Sequence, residues 1–337
     1  MTRSAAVATH GHCFDGMASA AVFSHLLGKL HEDPAIEFRY RSCGYGPQMG
    51  AMPEAWLDGD DAAILDFRYT ASARLTWYFD HHVTAFASDT ERDRALAESL
   101  PPDAGMSTAD AGAKGAHVFY DPTYGSCTKL IDDVARRVYG VEAPALSELV
   151  RWADIIDAAR FSSAEAAVSR AEPVMQLASV VEHHGDTPFL QGIVPRLLQQ
   201  SVSELARSAD IQEKWQPLAA AHDTFVARVS EATKLVGEVA FADLSAAPLE
   251  AAGKFVTYAL YPTCLYSVLL SRGKQQLKVS VGYNPWSGKQ RRHDISAICR
   301  RHGGGGHPAV GAFALPTRAI AKAREAAEAI VRELNET

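Results

Sequence analysis

The chain has 337 residues, 47% of them hydrophobic and 22% charged, which is a globular composition and favours two domains at this length. A formal net charge of −7 argues against a protein that coats long nucleic acids by bulk electrostatic attraction, but leaves a small anionic substrate open. The five cysteines are scattered and form no CxxC pair, which indicates a reducing compartment and excludes a cysteine-based zinc framework.

The first half of the chain alternates short apolar segments with helical patterns. The segment SAAVATH predicts a strand that ends at His10, and GMASAAVFSHLLGKL after it has the composition and spacing of a helix. IEFRYRSCG predicts a second strand, DAAILDFRY a third that ends at Asp66, and LTWYFDHH another that ends at residues 80–82. Strands alternating with helices are typical of a parallel α/β sheet, whose ligand site lies at the carboxyl ends of the strands.

The rest of the chain is mainly helical and then strand-rich. Residues 87–120 are polar and rich in Ala, Asp and Gly, which indicates a surface excursion, and helical patterns follow up to about residue 237. Turn signals at SRGK and YNPW, within a β-branched and aromatic stretch, predict hairpin strands before a closing helix, AIAKAREAAEAIVRELN. We predict an N-terminal domain over 1–190, a helical linker over 191–237 and a C-terminal domain over 238–337.

Four separated segments carry acidic or imidazole side chains without an obvious structural reason: HGHCFDG, LDFRY, FDHH and WADIIDAARF. Carboxylate oxygen and imidazole nitrogen together suit Mn²⁺, and with less selectivity Fe²⁺ or Zn²⁺. Two such ions would activate a water molecule and neutralise phosphoryl oxygens. A solvated loop is the alternative for residues 80–82 taken alone, but acids and imidazoles gathered at several strand ends indicate a functional site.

In their order along the chain, these segments resemble the DHH phosphoesterase superfamily, which is named for the triplet seen here at 80–82. The family opens with a strand that leads to a histidine and aspartates, and continues with a lone aspartate after a later strand. The triplet follows, and then an aspartate shortly before a phenylalanine, as in DAARF at 157–161. Near the end, RRHGGGGHPAVGAF at 300–313 is similar to the GGGH segment of the family's associated C-terminal domain.

The resemblance implies a role for each matching residue. Two metal ions would be held, with Asp66 as the bridge between them, by His10, Asp15, Asp66, His81 and Asp157. Asp80 would orient its neighbouring histidine, and His82 would face the substrate phosphate. A phosphate or terminal nucleotide would be contacted by Gly304, Gly305, Gly306 and His307, with Arg301 in the basic approach to the glycines.

The first segment departs from the family pattern, which usually carries two aspartates separated by one residue. Only Asp15 stands here, and His12 and Cys13 occupy the space of another acid. Cys13 could supply a thiolate ligand, which would shift the metal preference towards Zn²⁺ or Fe²⁺. Asp154 lies one turn before Asp157 on the same predicted helix face, and the spacing to the phenylalanine favours Asp157.

The residues and the resemblance together predict an α/β protein with an N-terminal parallel-sheet domain, a smaller C-terminal α/β domain and a cleft between them. The expected activity is Mn²⁺-dependent hydrolysis of short oligonucleotides, linear dinucleotides or small nucleotide phosphates by a metal-activated water molecule. Two alternatives stay open: an exopolyphosphatase-like enzyme, and a nucleotide-binding or regulatory protein whose metal site has decayed. No run of about 18 apolar residues occurs, so we expect a cytoplasmic protein that binds no membrane. The net charge of −7 predicts no stable complex with long nucleic acid, and a homodimer is left open.

Overall fold

The computed structural model of the chain describes residues 2–32, 35–44, 52–101, 115–249, 253, 255–274 and 276–336. The chain divides into two compact units. Unit 1 comprises Met1–Arg160 with Arg170–Trp215, and unit 2 comprises Phe161–Ser169 with Gln216–Thr337. Among the described helices, none is both long enough and apolar enough to cross a membrane.

Each unit contains one β-sheet. Strands β1 to β5 form the sheet of unit 1, in the order β2-β1-β3-β4-β5 with every neighbouring pair parallel: Ser4–His10, Glu37–Cys43, Asp61–Leu65, Trp77–Asp80 and His117–Tyr120. Strands β6 to β11 form the sheet of unit 2, in the order β10-β11-β9-β8-β7-β6: Thr233–Val236, Val239–Leu244, Tyr266–Arg272, Gln276–Tyr283, Gly305–His307 and Val310–Pro316. The second sheet is mixed, because β7 and β8 are parallel and the other described pairs are antiparallel.

Helices surround both sheets. In chain order, α1 to α6 are Phe14–Leu30, Asp89–Ala97, Cys127–Val138, Ser147–Asp157, Ala164–Val168 and Pro173–His184. Helices α7 to α12 are Thr187–Leu197, Val202–Ala206, Ala209–Ala232, Val256–Leu260, Ile295–Arg301 and Ile320–Asn335. Short 3₁₀ turns lie at Glu54–Trp56, Pro144–Leu146 and Thr317–Ala319.

The central strands of unit 1 are buried on both faces, as is usual for a parallel sheet covered by helices. On one face, Phe23 of α1 packs edge-on against Trp77 and Phe79 of β4, with ring centroids 5.8 and 6.1 Å apart. Tyr78 alternates to the other face and belongs to an apolar cluster with Ile64 of β3. The two packed faces hold the strands rigidly side by side.

The carboxyl ends of three neighbouring strands therefore lie at one edge of the sheet. His10 is the last residue of β1, Asp66 directly follows β3, and Asp80 is the last residue of β4. The parallel α/β sheet predicted from the alternation of strands and helices is confirmed.

Unit 2 has its own core. Val268 and Leu270 of β8 and Val279 of β9 pack with Ile298 of α11 and Ile330 of α12. Strands β8 and β9 form the antiparallel pair predicted from the SRGK turn signal. The expectation of a second α/β domain is confirmed.

In two segments the structure differs from what the sequence pattern predicted. The polar stretch 87–120 contains α2 and the edge strand β5, which pairs with β4, while 102–114 of it lie outside the described residues. The segment 191–237 holds the end of α7, then α8, α9 and β6, and the two units divide within α9. The domain bounds drawn from the sequence stay a prediction.

Candidate metal centre

Asp66 lies among three imidazoles at the edge of the sheet in unit 1. Its Oδ2 atom lies 3.5 Å from His10 Nδ1, while Oδ1 lies 3.7 Å from His81 Nε2 and 3.6 Å from His82 Nδ1. Burial alone would raise the pKa of Asp66, but the imidazoles outweigh it and the pKa is lowered. The residue is 1% exposed, and within the described chain neither oxygen has a hydrogen-bond partner. Burying a carboxylate without hydrogen bonds costs free energy, which a bound cation would offset.

His81 faces carboxylates with one nitrogen and the backbone with the other. Nε2 lies 3.2 Å from an oxygen of Asp157, 3.7 Å from Asp66 and 3.9 Å from Asp15. Nδ1 lies 3.1 Å from the carbonyl oxygen of Tyr124, so its N–H donates there and Nε2 is aimed at the acids. Burial lowers the pKa of His81, but the carboxylates, Asp157 foremost, raise it to about 11. The surroundings thus strongly favour a positive charge at Nε2.

Asp15 is held by the start of a distant helix. Its Oδ2 accepts a hydrogen bond from the backbone N–H of Cys127 at 2.7 Å, and Oδ1 accepts one from Thr128 at 3.0 Å. The partial positive charge of the α3 N-terminus stabilises a carboxylate there. Burial, together with the charges of Asp66 and Asp157, nevertheless raises the pKa of Asp15 well above its usual range. The protein alone therefore disfavours a further negative charge at Asp15 beside Asp66 and Asp157.

Asp80 orients the ring of His82 and contacts His81 through the backbone. Its Oδ1 accepts from the backbone N–H of His81 at 2.7 Å and from that of His82 at 2.9 Å. The same oxygen accepts from His82 Nδ1 at 2.8 Å, and Oδ2 accepts from the hydroxyl of Tyr78 at 3.1 Å. The hydrogen bond to Asp80 raises the pKa of His82, whose side chain is 35% exposed. His82 is therefore a fixed imidazole that solvent can reach.

Cys13 lies close to His10 and Asp66. One ligand atom from each of these three residues falls within 4.8 Å of the others, and the same is true of Asp15, His81 and Asp157. Burial raises the pKa of the Cys13 thiol, and the charges of nearby aspartates raise it further. Asp66 links the two groups, because it belongs to the first and its other oxygen lies 3.7 Å from His81 of the second.

The structure places two of the candidate ligands elsewhere. His12 is exposed, with φ +55°, and its Nδ1 lies 3.2 Å from the carbonyl oxygen of Glu182. Asp154 forms an ion pair with Arg160 at 2.6 Å. Neither belongs to a described group of ligand atoms within 4.8 Å of one another.

The residues that orient the ligands had no sequence signal of their own. Tyr124 acts through its carbonyl group, and Cys127 and Thr128 act through backbone N–H groups. Gly125 lies between Tyr124 and Cys127 in the chain. A side chain at this position would be crowded, since a Cβ would come 2.5 Å from a carboxylate oxygen of Asp154. Only the turn-like GSCT segment before a helical pattern hinted that a helix begins at this point.

The glycine segment lies at the edge of the sheet in unit 2, where β10 pairs with β11. A Cβ on Gly304 would lie 2.2 Å from the Ala312 carbonyl oxygen, and Gly306 has φ +148°, so backbone geometry explains both glycines. A Cβ on Gly305 would meet no described atom within 4 Å. His307 is exposed.

The predicted substrate contact Arg301 already has a partner. Its guanidinium pairs with both carboxylate oxygens of Glu333 on α12, at 2.5 and 2.6 Å. Arg292 and Lys289 likewise pair with Glu238. Much of the basic character near the glycines is therefore balanced within unit 2.

The donor set fits divalent cations. Aspartate oxygens and histidine nitrogens converge from the ends of β1, β3 and β4, from α1 and from α4. Both oxygens of Asp66 lack hydrogen bonds from the part of the chain that the structure describes. The residues that would hold two ions are His10, Asp15, Asp66, His81 and Asp157, with Cys13 beside His10.

A scan against protein-family models and a search of curated proteins found no match. Solved structures do match. The pGpG-specific phosphodiesterase PggH from Vibrio cholerae aligns with a TM-score of 0.66 at 17% identity, over 99% of both chains. A DHH domain of a member of the s1p family of ribosomal proteins aligns with a TM-score of 0.60 at 13% identity, over 99% of this chain and 87% of that one.

RecJ from Thermus thermophilus, solved with Mn²⁺, aligns with a TM-score of 0.51 at 11% identity, over 98% of this chain and 52% of that one. The same RecJ was also solved with Mg²⁺. At these identities the likeness shows the fold alone.

Proposed function

The chain has the fold of the DHH phosphoesterase superfamily, as its motifs predicted, and from this premise we propose that it is a metal-dependent phosphoesterase. The observation that carries the proposal is Asp66, a buried carboxylate that lies between His10 and His81 and accepts no hydrogen bond from the described residues. A structural role would have given its oxygens hydrogen-bond donors from the chain, as the buried Asp61 at the other end of the same strand has.

The ligand residues would hold two divalent cations, for which we favour Mn²⁺, with Zn²⁺ or Fe²⁺ as the alternatives. Such ions, when bound, neutralise phosphoryl oxygens and lower the pKa of a water molecule towards neutrality. The chain supplies the orientation: Tyr124 fixes the His81 ring and the start of α3 fixes Asp15. Fixed ligands keep the reacting groups aligned without reorganisation during the reaction.

His82 is suited to move a proton. Its Nδ1–H is held by Asp80, which leaves Nε2 as the nitrogen that can exchange a proton with the substrate. The hydrogen bond to Asp80 raises the pKa of His82 and so shifts the ring towards its protonated form. In this role Nε2 donates a proton to the leaving oxygen of the phosphoester, and Asp80 stabilises the imidazolium.

We propose short oligonucleotides, linear dinucleotides or small nucleotide phosphates as substrates, and inorganic polyphosphate as the alternative. The net charge of −7 disfavours a stable complex with long nucleic acid. The structural neighbour PggH is described as pGpG-specific, which makes pGpG a rational first compound. In unit 2 the exposed His307 and the uncrowded Gly305 would contact a phosphate or terminal nucleotide.

The test is hydrolysis of a compound panel with added Mn²⁺: pGpG, pApA, a five-nucleotide RNA, 3′-phosphoadenosine 5′-phosphate and polyphosphate. Two aspartates of α4, one turn apart, provide a matched pair of variants. Asp157→Asn should abolish turnover because it removes a ligand beside His81, whereas Asp154→Asn should retain it because Asp154 pairs with Arg160 outside the cluster.

Equal activity in both variants would overturn the assignment of the site. A wild-type protein that binds pGpG but neither binds Mn²⁺ nor hydrolyses any compound would identify a nucleotide-binding protein instead.

A further inference from the structure

We propose that Cys13 is a metal ligand, so that the two cation positions differ in chemistry. One position would be formed by His10, Cys13 and Asp66, and the other by Asp15, His81 and Asp157, with Asp66 shared between them. This inference rests on the proposed function, because it assigns unequal metal preferences to the two halves of that site.

Cys13 occupies an unusual position for a cysteine in the described chain. Cys13 is the N-cap residue of α1, a position where serine, threonine, aspartate or asparagine usually caps the helix. Its side chain makes no capping hydrogen bond of standard geometry in the described chain, although the Gly16 backbone N–H contacts the sulfur. The thiol instead lies with its sulfur, a nitrogen of His10 and an oxygen of Asp66 all within 4.8 Å of one another.

Asp66 supplies an independent sign that a ligand belongs in this group. The residue is 1% exposed, and its Oδ2 atom has no hydrogen-bond partner in the described chain, although it lies 3.5 Å from His10 Nδ1. A carboxylate oxygen that is so deeply buried and has no hydrogen bond is costly in free energy unless a cation binds it. The cysteine thus lies beside a buried carboxylate whose oxygens accept no hydrogen bond in the described chain.

The two ligand sets differ in softness. A thiolate with one imidazole favours Zn²⁺, Fe²⁺ or Co²⁺, whereas a set of carboxylates with one imidazole suits Mn²⁺ or Mg²⁺. When a cation binds, the Cys13 S–H proton passes to solvent and the sulfur lone pair forms the bond to the metal. No electron is transferred, so the step needs no oxidant or reductant.

Cobalt titration of the full-length protein, after removal of metals with a chelator, tests the inference. Co²⁺ bound by a thiolate gives an intense charge-transfer absorption in the near ultraviolet. We expect the band in the wild-type protein and in Cys264→Ala, a control that removes a cysteine from unit 2. We expect its loss in Cys13→Ser, which keeps a residue suited to the N-cap.

A second variant tests metal preference. Competition dialysis at varied ratios of Zn²⁺ to Mn²⁺ gives the ratio of the two affinities, which we expect to be at least tenfold lower in Cys13→Asp than in the wild-type protein.

Two results would overturn the inference: an identical band in Cys13→Ser, or wild-type protein that binds two Co²⁺ without the band. If that wild-type protein still hydrolyses pGpG with Mn²⁺, the proposed function stands and only the ligand role of Cys13 fails. If it binds no metal and hydrolyses nothing, both fail.

Discussion

His82 donates two hydrogen bonds to a single oxygen of Asp80, one from its backbone N–H at 2.9 Å and one from its ring Nδ1 at 2.8 Å. The adjacent His81 gives the same oxygen only its backbone N–H, and its ring turns to the carbonyl of Tyr124. Both neighbouring histidines therefore keep Nε2 available, but in different surroundings: Nε2 of His81 faces the carboxylates, and Nε2 of His82 points away from Asp80.

Asp80→Asn should lower kcat without removing metal. The substitution keeps the shape of the side chain but removes the charge that stabilises the His82 imidazolium, and we expect a loss of about 10- to 100-fold in kcat. Turnover and bound Mn²⁺ are measured on the same preparation. Loss of Mn²⁺ in parallel with activity would instead make Asp80 a ligand.

Asp66→Asn should abolish the stabilisation of the fold by Mn²⁺. Wild-type protein gains about 2.7 kcal/mol of unfolding free energy when Mn²⁺ exceeds its dissociation constant about 100-fold. Asparagine tolerates the left-handed backbone at this position, where φ is +53°, so the variant should still fold. Chemical denaturation with Mn²⁺ and with chelator measures the gain, which we expect to vanish in this variant.

The control for Asp66 is Asp61, which lies at the opposite end of β3. Its carboxylate accepts hydrogen bonds from Arg3 at 2.7 Å and from His31 at 3.0 Å. Asp61→Asn should destabilise the protein by about 1–3 kcal/mol, equally with and without Mn²⁺. A metal gain that also disappears in this control would mean that the loss in Asp66→Asn reports general damage.

Gly185→Ala should weaken metal binding from outside the site. A Cβ at Gly185, in the turn after α6, would lie 2.6 Å from the backbone nitrogen of His12 and 2.5 Å from the carbonyl oxygen of Val181. The backbone next to Cys13 would have to shift, and we expect Mn²⁺ affinity to fall about 10- to 100-fold, as measured by calorimetry. Gly192→Ala on the exposed face of α7 is the matched control, since a Cβ there meets no described atom within 4 Å. Unchanged affinity in Gly185→Ala would contradict the role of this turn.

Gly305→Ala should weaken substrate binding without destabilising the fold. Because its Cβ has open space in the described structure, the variant should fold normally, but a substrate phosphate close to the backbone would be displaced. We expect KM to rise about tenfold, equivalent to about 1.4 kcal/mol, with kcat unchanged. Gly304→Ala, whose Cβ would lie 2.2 Å from a carbonyl oxygen, should destabilise unit 2 instead. An unaltered KM in Gly305→Ala would remove this segment from the substrate site.

The sequence pattern predicted the sheet of unit 1 and most of its cluster of acids and imidazoles, because the carboxyl ends of parallel strands lie at one edge of a sheet. His10, Asp66 and Asp80 each follow an apolar run, and the topology brings them together. The different roles of His81 and His82 could not be predicted from the local sequence, in which the two residues are adjacent. They depend on Tyr124, which lies 43 residues from His81 in the chain.

Other features depended equally on distant partners. The hydrogen bond from the Cys127 backbone N–H to Asp15 joins residues that are 112 positions apart, so no local sequence pattern could predict it. Strand β5 has four residues within a polar stretch and is defined by its pairing with β4. His12, which lies outside the cluster, donates its backbone N–H to the carbonyl oxygen of Gly185, between α6 and α7 and 173 residues away in the chain.

The most direct test compares His81→Gln with His82→Gln, measuring bound Mn²⁺ per chain by equilibrium dialysis and pGpG hydrolysis on the same samples. We predict that His81→Gln loses metal and turnover together, because Nε2 of His81 is surrounded by Asp157, Asp66 and Asp15. We predict that His82→Gln keeps its metal and loses about 10²- to 10⁴-fold in kcat, since only the proton donor is removed. Full Mn²⁺ binding and undiminished turnover in His81→Gln would contradict a metal-dependent phosphoesterase site at these strand ends.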